Sequence, residues 1–242
     1  MPDPLILLGA ALAGFVQGLS GFAMGLVATV FWTGLMRPSV SAPLIVIASV
    51  AGQLFALRAV LPSLDWRRAG PMIAGGLLGV GPGVLALPWV EPHSFRLGVG
   101  LLLCVFCPAM LMASALPRVR WGGRAADAAA GFVGGAMGGI AGLSGPAPIL
   151  WCTLRGWDRD VQRATFQSFL IAVQAAAVVA YAVSGLLTSE VAHLSAWVLP
   201  CVLVPSWVGT RLYLRLNGAA FRRVVLLVLA VTGAALVVQA LL

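Results

Sequence analysis

The chain has 242 residues, of which 61% are hydrophobic and only 9% are charged, and its formal net charge is +8. Apolar runs of roughly 20 residues recur along the whole length, which excludes a soluble globular domain. The runs are apolar on all faces, which excludes a membrane β-barrel with its alternating strands. All fifteen basic residues are arginines scattered through short loops, without the basic cluster that binds nucleic acid. The sequence therefore predicts an all-α integral membrane protein.

The first predicted element, residues 4–36, is too long for one ordinary span. A continuous helix of this length would measure roughly 50 Å against a hydrocarbon core of about 30 Å. Gly18-Leu19-Ser20-Gly21 stands near its middle, so we expect a helix that breaks there or turns back as a re-entrant hairpin. A second Gly-rich segment, residues 128–154, contains Gly142-Leu143-Ser144-Gly145 and is predicted to break in the same way.

Six full-length apolar runs follow these two segments, three after each. We expect them to be transmembrane helices near residues 39–57, 69–90, 95–116, 164–187, 191–210 and 224–242. The matching tetrapeptides lie 124 residues apart, about half of the chain. Internal duplication is therefore predicted, with one membrane repeat in residues 1–124 and a second in residues 125–242.

The arginines predict how the two repeats are oriented. If both broken segments were ordinary spans, the arginine bias would reverse between the halves, against the rule that cytoplasmic loops carry the excess. If each is a hairpin that enters and leaves on one face, thirteen arginines lie inside and two, Arg37 and Arg96, lie outside. The halves are then antiparallel, which predicts inverted repeats with both termini outside.

The two Gly-rich turns are predicted to meet near the membrane midplane and to form the functional site. Irregular backbone at that depth persists only where protein buries it or where it lines a polar cavity. Half-helices that begin there direct free N–H groups at the centre, which suits an anion. Polar side chains within the spans are candidates to line the same path. The candidate substrate-binding residues are Gln17, Gly18, Ser20, Gly21, Gln53, Gly142, Ser144, Gly145, Gln167, Gln174, Arg58 and Arg163.

The chain resembles the TauE/SafE family of sulfite exporters and anion permeases over nearly its full length. The resemblance lies in the Gly-rich first segment, in Asp65-Trp66-Arg67-Arg68 before Gly75-Gly76-Leu77-Leu78-Gly79, and in residues 131–163 with their Ser-Gly-Pro and Gln-Arg-Ala-Thr elements. Phe22 and Ala23 follow Gly21 where family patterns often have more glycine. The resemblance implies two four-segment repeats that move small sulfur-containing anions, such as sulfite or sulfonates, across the bacterial plasma membrane.

Other functions remain open at this point. An anion channel would share the same path. Gly142-Leu143-Ser144-Gly145 also fits the Gly-x-Ser-Gly of rhomboid-like intramembrane proteases, with His193 as the partner of Ser144. We expect a transporter and not an enzyme, with no cofactor, no metal site and no disulfide, and a homodimer is one possible assembly. The seven acidic residues all fall in loops or at segment edges, which predicts a potential-driven uniporter without a proton or Na⁺ site.

Overall fold

The computed structural model shows a helical chain over the part it describes. The backbone is described for residues 2–60, 66–113, 118–119, 121–157, 159–213 and 218–241, and the side chains for these residues except 54–60, 159–160, 213 and 218–222. These ranges contain ten α-helices: α1 Pro4–Ser20, α2 Met24–Trp32, α3 Pro38–Val60, α4 Trp66–Ala86, α5 Pro92–Leu111, α6 Gly123–Ala141, α7 Pro146–Arg155, α8 Arg159–Val183, α9 Ser189–Tyr213 and α10 Gly218–Leu241.

Helices long and apolar enough to cross a membrane match the predicted spans. Over the described residues there are five, namely Trp66–Trp89, Pro92–Leu111, Val161–Val183, Ser189–Leu212 and Arg223–Leu241. The remaining predicted span falls on α3, whose 23 residues are long enough to cross, although its side chains are described only as far as Gln53. Large apolar side chains cover the outer surface, such as Leu78 and Val231. A surface of this kind is compatible with lipid.

The first Gly-rich segment folds as a helical hairpin formed by α1 and α2, which we call hairpin 1. Asp3 caps the start of α1, and Gly21 ends it with a φ of +82°, a left-handed conformation that glycine adopts without strain. The chain then turns back on itself. The indole Nε1 of Trp32, at the end of α2, donates a hydrogen bond to the carbonyl oxygen of Ile6 at 3.1 Å. The two ends of hairpin 1 therefore lie side by side.

The second Gly-rich segment, α6 and α7, folds in the same way and is called hairpin 2. Gly142 ends α6 with a φ of +70°, and Pro146 begins α7. The chain reverses here too. Asp127, in the first turns of α6, accepts a hydrogen bond from the indole of Trp151 at 2.8 Å and faces the guanidinium of Arg155 at 3.4 Å. Both Gly-rich segments are thus hairpins that return to the end at which they began.

Each hairpin packs through glycine against one long helix of the other half. Gly14 and Gly18 of α1 touch the backbone of α9 at Val202 and Ser206, so the two helices run in the same direction. The α4 and α6 helices pack in parallel through a similar row of close backbone contacts: Gly75 with Ala128, Gly79 with Phe132, and Gly83 with Ala136. Glycine permits this approach because a side chain would hold the backbones apart.

The second half repeats the element order of the first, a hairpin followed by three long helices. Gly21 and Gly142 end the first helix of each half with the same left-handed geometry. These residues are 121 positions apart, and so are Gln53 of α3 and Gln174 of α8, which are hydrogen-bonded to each other. Equivalent helices of the two halves thus meet at the centre of the molecule.

The last helices of the two halves, α5 and α10, pack in opposite directions. His93, near the start of α5, has its Nε2 2.7 Å from the carbonyl oxygen of Ala240, near the end of α10. Gly100 and Gly233 pack against each other's helices further along. The last helices of the two halves are therefore antiparallel.

Candidate functional site

The tips of the two hairpins are in contact. A methyl group added to Gly25, in the first turn of α2, would lie 2.9 Å from the carbonyl oxygen of Gly142 in the tip of hairpin 2. A methyl group added to Gly145 would lie 3.4 Å from the ring of Phe22 in the tip of hairpin 1. The structure therefore brings together the two turns that the sequence singled out.

Aromatic rings fill the contact between the tips. The ring of Phe22 packs edge-to-face on Phe166 at a centroid distance of 5.6 Å and on Phe106 at 6.4 Å. Phe106 and Phe166 are themselves buried. We call these three residues the aromatic plug. Sequence reasoning missed it, although Phe22 directly follows the first turn and was the signal that could have found it.

The two serines of the repeated tetrapeptide are not equivalent. Ser20 is the last residue of α1, and its hydroxyl oxygen lies 3.4 Å and 3.2 Å from the N–H groups of Phe22 and Ala23 that lead into α2. Ser144 lies in the link between α6 and α7, with its Oγ packed against Gly138 of α6. The two tetrapeptides are 124 residues apart in sequence, whereas structurally equivalent residues of the two halves are 121 residues apart. The first tetrapeptide therefore lies three residues earlier, relative to its turn, than the second.

The two short helices present different N-termini to the centre. The α2 helix begins Met24-Gly25-Leu26, three residues that all carry an N–H without an acceptor inside the helix. The α7 helix begins Pro146-Ala147-Pro148, in which only the alanine has an N–H. The two helix starts were expected to offer similar N–H donors, but α2 supplies most of them.

Four buried glutamines form a polar strip that leads away from the tips: Gln17, Gln53, Gln167 and Gln174. The first, on α1, donates from Nε2 to the carbonyl oxygen of Ser49 on α3 at 2.9 Å. Gln53 donates to Gln174 Oε1 at 2.7 Å. Gln167 lies two helical turns before Gln174 on α8, with its Nε2 3.0 Å from where a methyl group on Gly21 would be. The strip thus links the tip of hairpin 1 to the contact between α3 and α8.

Several buried polar atoms in this region have no hydrogen-bond partner among the described residues. They are Oε1 of Gln17, Gln53 and Gln167, and the hydroxyl oxygens of Ser144 and Thr165. Each such atom costs about 1–3 kcal/mol when left unpaired. An amide rotated by 180° presents NH₂ in place of oxygen, so a glutamine can donate to an anion as readily as it accepts from a backbone N–H. The region is therefore chemically suited to a small polar ligand.

The remaining predicted site residues lie elsewhere or serve packing. A methyl group on Gly18 would overlap the carbonyl oxygen of Ser206, so this glycine lies in the contact with α9. Gly142 packs on Ile45 of α3. Arg163 is exposed on α8, one turn from Gln167. The side chain of Arg58 lies outside the described residues.

The geometry does not form the serine protease dyad. Ser144 is buried, and its Oγ has no hydrogen-bond partner within the described parts of the chain. His193 is exposed in the first turn of α9. Among the described residues, no three His, Cys, Asp or Glu side chains are grouped so that they could hold a metal ion, and Cys104, Cys107, Cys152 and Cys201 are free thiols.

One acidic residue is more buried than its position in the sequence indicated. Asp127 was expected at a segment edge, and it lies there, but it is only 4% exposed. Arg155 faces it, and the guanidinium also lies 5.8 Å and 5.9 Å from the rings of Trp151 and Trp157. A buried carboxylate is thus present, and it is paired with a cation at the base of hairpin 2.

Comparison with known proteins identifies the family. The profile of the sulfite exporter TauE/SafE family matches residues 6–236. The chain is also similar to the probable sulfite/organosulfonate exporter TauE of Cupriavidus necator, with 27% identity over 245 residues that cover 98% of this chain and 95% of that protein. No solved structure matches. Members of this family are transporters and not enzymes, which removes the protease alternative. With its apolar helices and its profile match over nearly the whole chain, this multi-pass membrane protein belongs to the TauE/SafE family of anion transporters.

Proposed function

We propose that the protein exports small sulfur-containing oxyanions, sulfite or organosulfonates, across the bacterial inner membrane by alternating access around the contact between the hairpin tips. The observation that carries the proposal is the set of buried polar groups beside that contact that lack a partner among the described residues. The substrate class is supported by the name of the Cupriavidus necator relative and by the family description.

Helix directions support two inverted repeats, residues 1–124 and 125–242. The arginine distribution predicts that hairpin 1 enters from outside and hairpin 2 from the cytoplasm. In that arrangement α1 and α9 both run inward, α6 and α4 both run outward, and α5 and α10 run in opposite directions. The observed packing has these three relations. The tips then meet near the membrane midplane, where transporters of this architecture bind their substrates.

The anion would be held mainly by hairpin 1 and α8. The free N–H groups of α2 supply donors and the positive end of a helix dipole, and glycine at position 21 lets the backbone come close. Gln167 lies next to this turn and can turn its NH₂ toward the anion. Hairpin 2 adds few backbone donors because of its prolines, so it serves as the opposite wall.

The aromatic plug would act as the barrier between the two sides. Phe22 packs against Gly145 and against the rings of Phe106 and Phe166, so a small rotation of hairpin 1 moves a ring that fills the contact. Alternating access requires such a barrier because an open path would dissipate the membrane potential. The filled contact favours a carrier over a channel.

The membrane potential alone would drive export. An inside-negative potential of 100 mV gives about 2.3 kcal/mol per charge, or roughly 4.6 kcal/mol for a doubly charged anion. Asp127 is buried but neutralised by Arg155, and it lies 15 residues before Gly142, roughly 22 Å along α6 from the tip. It is therefore placed to hold hairpin 2 closed and not to carry a proton at the anion site.

Flux measurements in proteoliposomes test the proposal. Sulfite and organosulfonates should leave the negative compartment faster when a potassium-diffusion potential is imposed, while a pH or Na⁺ gradient at zero potential should drive no uphill flux. Gln167→Leu should lower anion affinity about tenfold, equivalent to roughly 1.4 kcal/mol, because it removes an amide donor. Leu77→Ala, on the lipid-facing side of α4, is the matched control.

Three outcomes would contradict the proposal in different ways. Absence of any sulfur-anion flux in the wild type refutes the substrate class. Uphill flux driven by a proton or Na⁺ gradient refutes uniport. Discrete single-channel currents refute alternating access and favour the channel.

A further inference from the structure

A cavity lies at the open end of hairpin 1, away from the tips. Its volume is about 270 Å³, and it is bounded by the link after α2 and the first turns of α3 and α5. By the same measure a cavity needs only roughly 10–15 Å³ to hold one water, so a small hydrated anion fits. Its nine lining residues include Arg37 and Arg96. We call it the two-arginine pocket.

Two guanidinium groups make this pocket positively charged. Arg37 is exposed at the start of α3, and Arg96 is half-buried in the second turn of α5. The Nε of Arg96 is buried and has no hydrogen-bond partner among the described residues. Gly34, with a φ of +116°, lets the chain pass over this side chain, and a methyl group there would lie 3.7 Å from Arg96 Nη2. A guanidinium with an unused buried N–H is a donor for a planar or forked oxyanion.

The charge around the pocket is one-sided. None of the nine described lining residues is acidic, and no described salt bridge includes Arg37 or Arg96. Glu91 is the nearest acidic residue along the chain, and it is exposed at the cap of α5. The α3 and α5 helices both begin at this pocket, at Pro38 and Pro92, so the positive ends of two helix dipoles face it as well.

The pocket is separate from the polar strip. Pro38 lies in its wall and Gln53 lies in the strip, 15 residues further along the same helix, which is roughly 22 Å. The two-arginine pocket therefore belongs to one end of the helical body, at the face where hairpin 1 begins and ends.

We propose that the two-arginine pocket is a second oxyanion site, the station at which the transported anion is held as it leaves the protein. Arg37 and Arg96 bind the oxygens of a sulfite- or sulfonate-like group, and the helix N-termini add to the attraction. The assignment as an exit site rests on the proposed direction of transport and on the outward placement of these two arginines. The phosphate of an anionic lipid headgroup shares this chemistry, so the source of the oxyanion is an arm of the test.

Protection from phenylglyoxal, which modifies arginine, measures occupancy even when binding is weak. The purified wild-type protein in phosphatidylcholine nanodiscs is treated with the reagent, with and without sodium sulfite, and modification is followed residue by residue by peptide mass spectrometry. Sulfite should slow the modification of Arg37 and Arg96 at least threefold and leave that of Arg124, an exposed arginine at the start of α6, unchanged. In the Arg37→Gln variant, protection of Arg96 should fall to less than half.

The remaining arms distinguish the source of the oxyanion and separate the two proposals. Protection of both arginines by phosphatidylglycerol nanodiscs without sulfite assigns the pocket to a lipid headgroup and overturns the exit-site role. Equal modification of Arg37, Arg96 and Arg124 under all conditions overturns the pocket itself. Sulfite flux is measured on the same preparation, so flux without protection refutes only this site. Protection by sulfite without flux establishes an oxyanion site in the pocket but refutes the proposed transport and, with it, the exit role.

Discussion

Hairpin 1 and hairpin 2 take equivalent places in the two halves of the molecule, yet their ends and tips differ in chemistry. At the base of hairpin 1, the two helices are joined by a hydrogen bond between uncharged groups, from the indole of Trp32 to the backbone. This base lies beside the two-arginine pocket. The base of hairpin 2 is joined by the buried pair Asp127 and Arg155. The tips differ as well, with free N–H groups on α2 and prolines on α7.

Similar backbone packing of the two hairpins is therefore combined with different polar groups. The glycine contacts that place each hairpin on its partner helix occur in both halves, because they are set by backbone geometry. The polar groups, in contrast, differ between the two hairpins. N–H groups without an acceptor inside the helix lie at the start of α2 in hairpin 1, while the base of hairpin 2 holds an ion pair.

The largest expected effect is on the shared packing. A methyl group at Gly135 would overlap the carbonyl oxygen of Gly76, so Gly135→Ala should lower the free energy of unfolding by about 3 kcal/mol and reduce the yield of monodisperse protein. Gly70→Ala is the control, since nothing within the described structure lies within 4 Å of the added methyl group. Equal thermal melting of the two variants would show that α4 and α6 are not closely packed.

Breaking the ion pair should affect hairpin 2 more than the matching change affects hairpin 1. Arg155→Met leaves Asp127 buried without its cation and should cost about 3 kcal/mol of stability. Trp32→Phe removes one neutral hydrogen bond from hairpin 1 and leaves a small cavity beside the buried ring, so it should cost about 2 kcal/mol. Thermal unfolding measures both. The double variant Asp127→Asn with Arg155→Met should recover part of the stability lost in Arg155→Met. If it does not, the ion pair is not the cause of that loss.

Truncating a side chain of the aromatic plug should let anions pass between the hairpin tips. Phe22→Ala removes the ring that fills the contact between the tips, so anion flux without alternating access should rise, with a stability loss of about 2 kcal/mol because Phe22 is only half-buried. Phe132→Ala, on the outer surface of α6, is the matched control. Unchanged or reduced passive flux in proteoliposomes of the Phe22 variant would remove the plug from the transport path.

The smallest and most discriminating effects concern the repeated serines. Ser20→Ala should cost about 1 kcal/mol of stability because the hydroxyl accepts from the N–H groups that lead into α2. Ser144→Ala should be neutral or slightly stabilising, since its buried Oγ has no partner in the described structure. The two variants are compared by thermal melting. Equal losses would indicate that the serines are equivalent after all.

The sequence predicted the architecture well because its main signals are physical. Length and glycine content predicted that residues 4–36 and 128–154 would break, since a straight helix of that length does not fit the membrane. The register was harder to predict. Glycine is so frequent in this chain that the two tetrapeptides match at a spacing of 124 residues, three more than the spacing of structurally equivalent residues. Aligning the tetrapeptides therefore paired Ser20 with Ser144, which are not equivalent.

Local chemistry at the site could be predicted only in part. Glutamines within apolar runs stand out, so the polar strip was found from the sequence. Phe106, Phe166 and Thr165 do not stand out, because phenylalanine and threonine are ordinary residues of membrane helices. Asp127 was placed at a segment edge, but its burial was not predicted because it depends on Trp151 and Arg155, which lie at the other end of hairpin 2 in sequence.

The central claim is that the two hairpins enter the membrane from opposite faces, and single-cysteine labelling in intact cells tests it most directly. In a variant without native cysteines, Leu35→Cys lies at the open end of hairpin 1 and Arg124→Cys at that of hairpin 2, both exposed. An impermeant maleimide added outside should label position 35 at once, and position 124 only after the cells are permeabilised. Labelling of both positions from outside, or of neither before permeabilisation, would contradict the inverted arrangement.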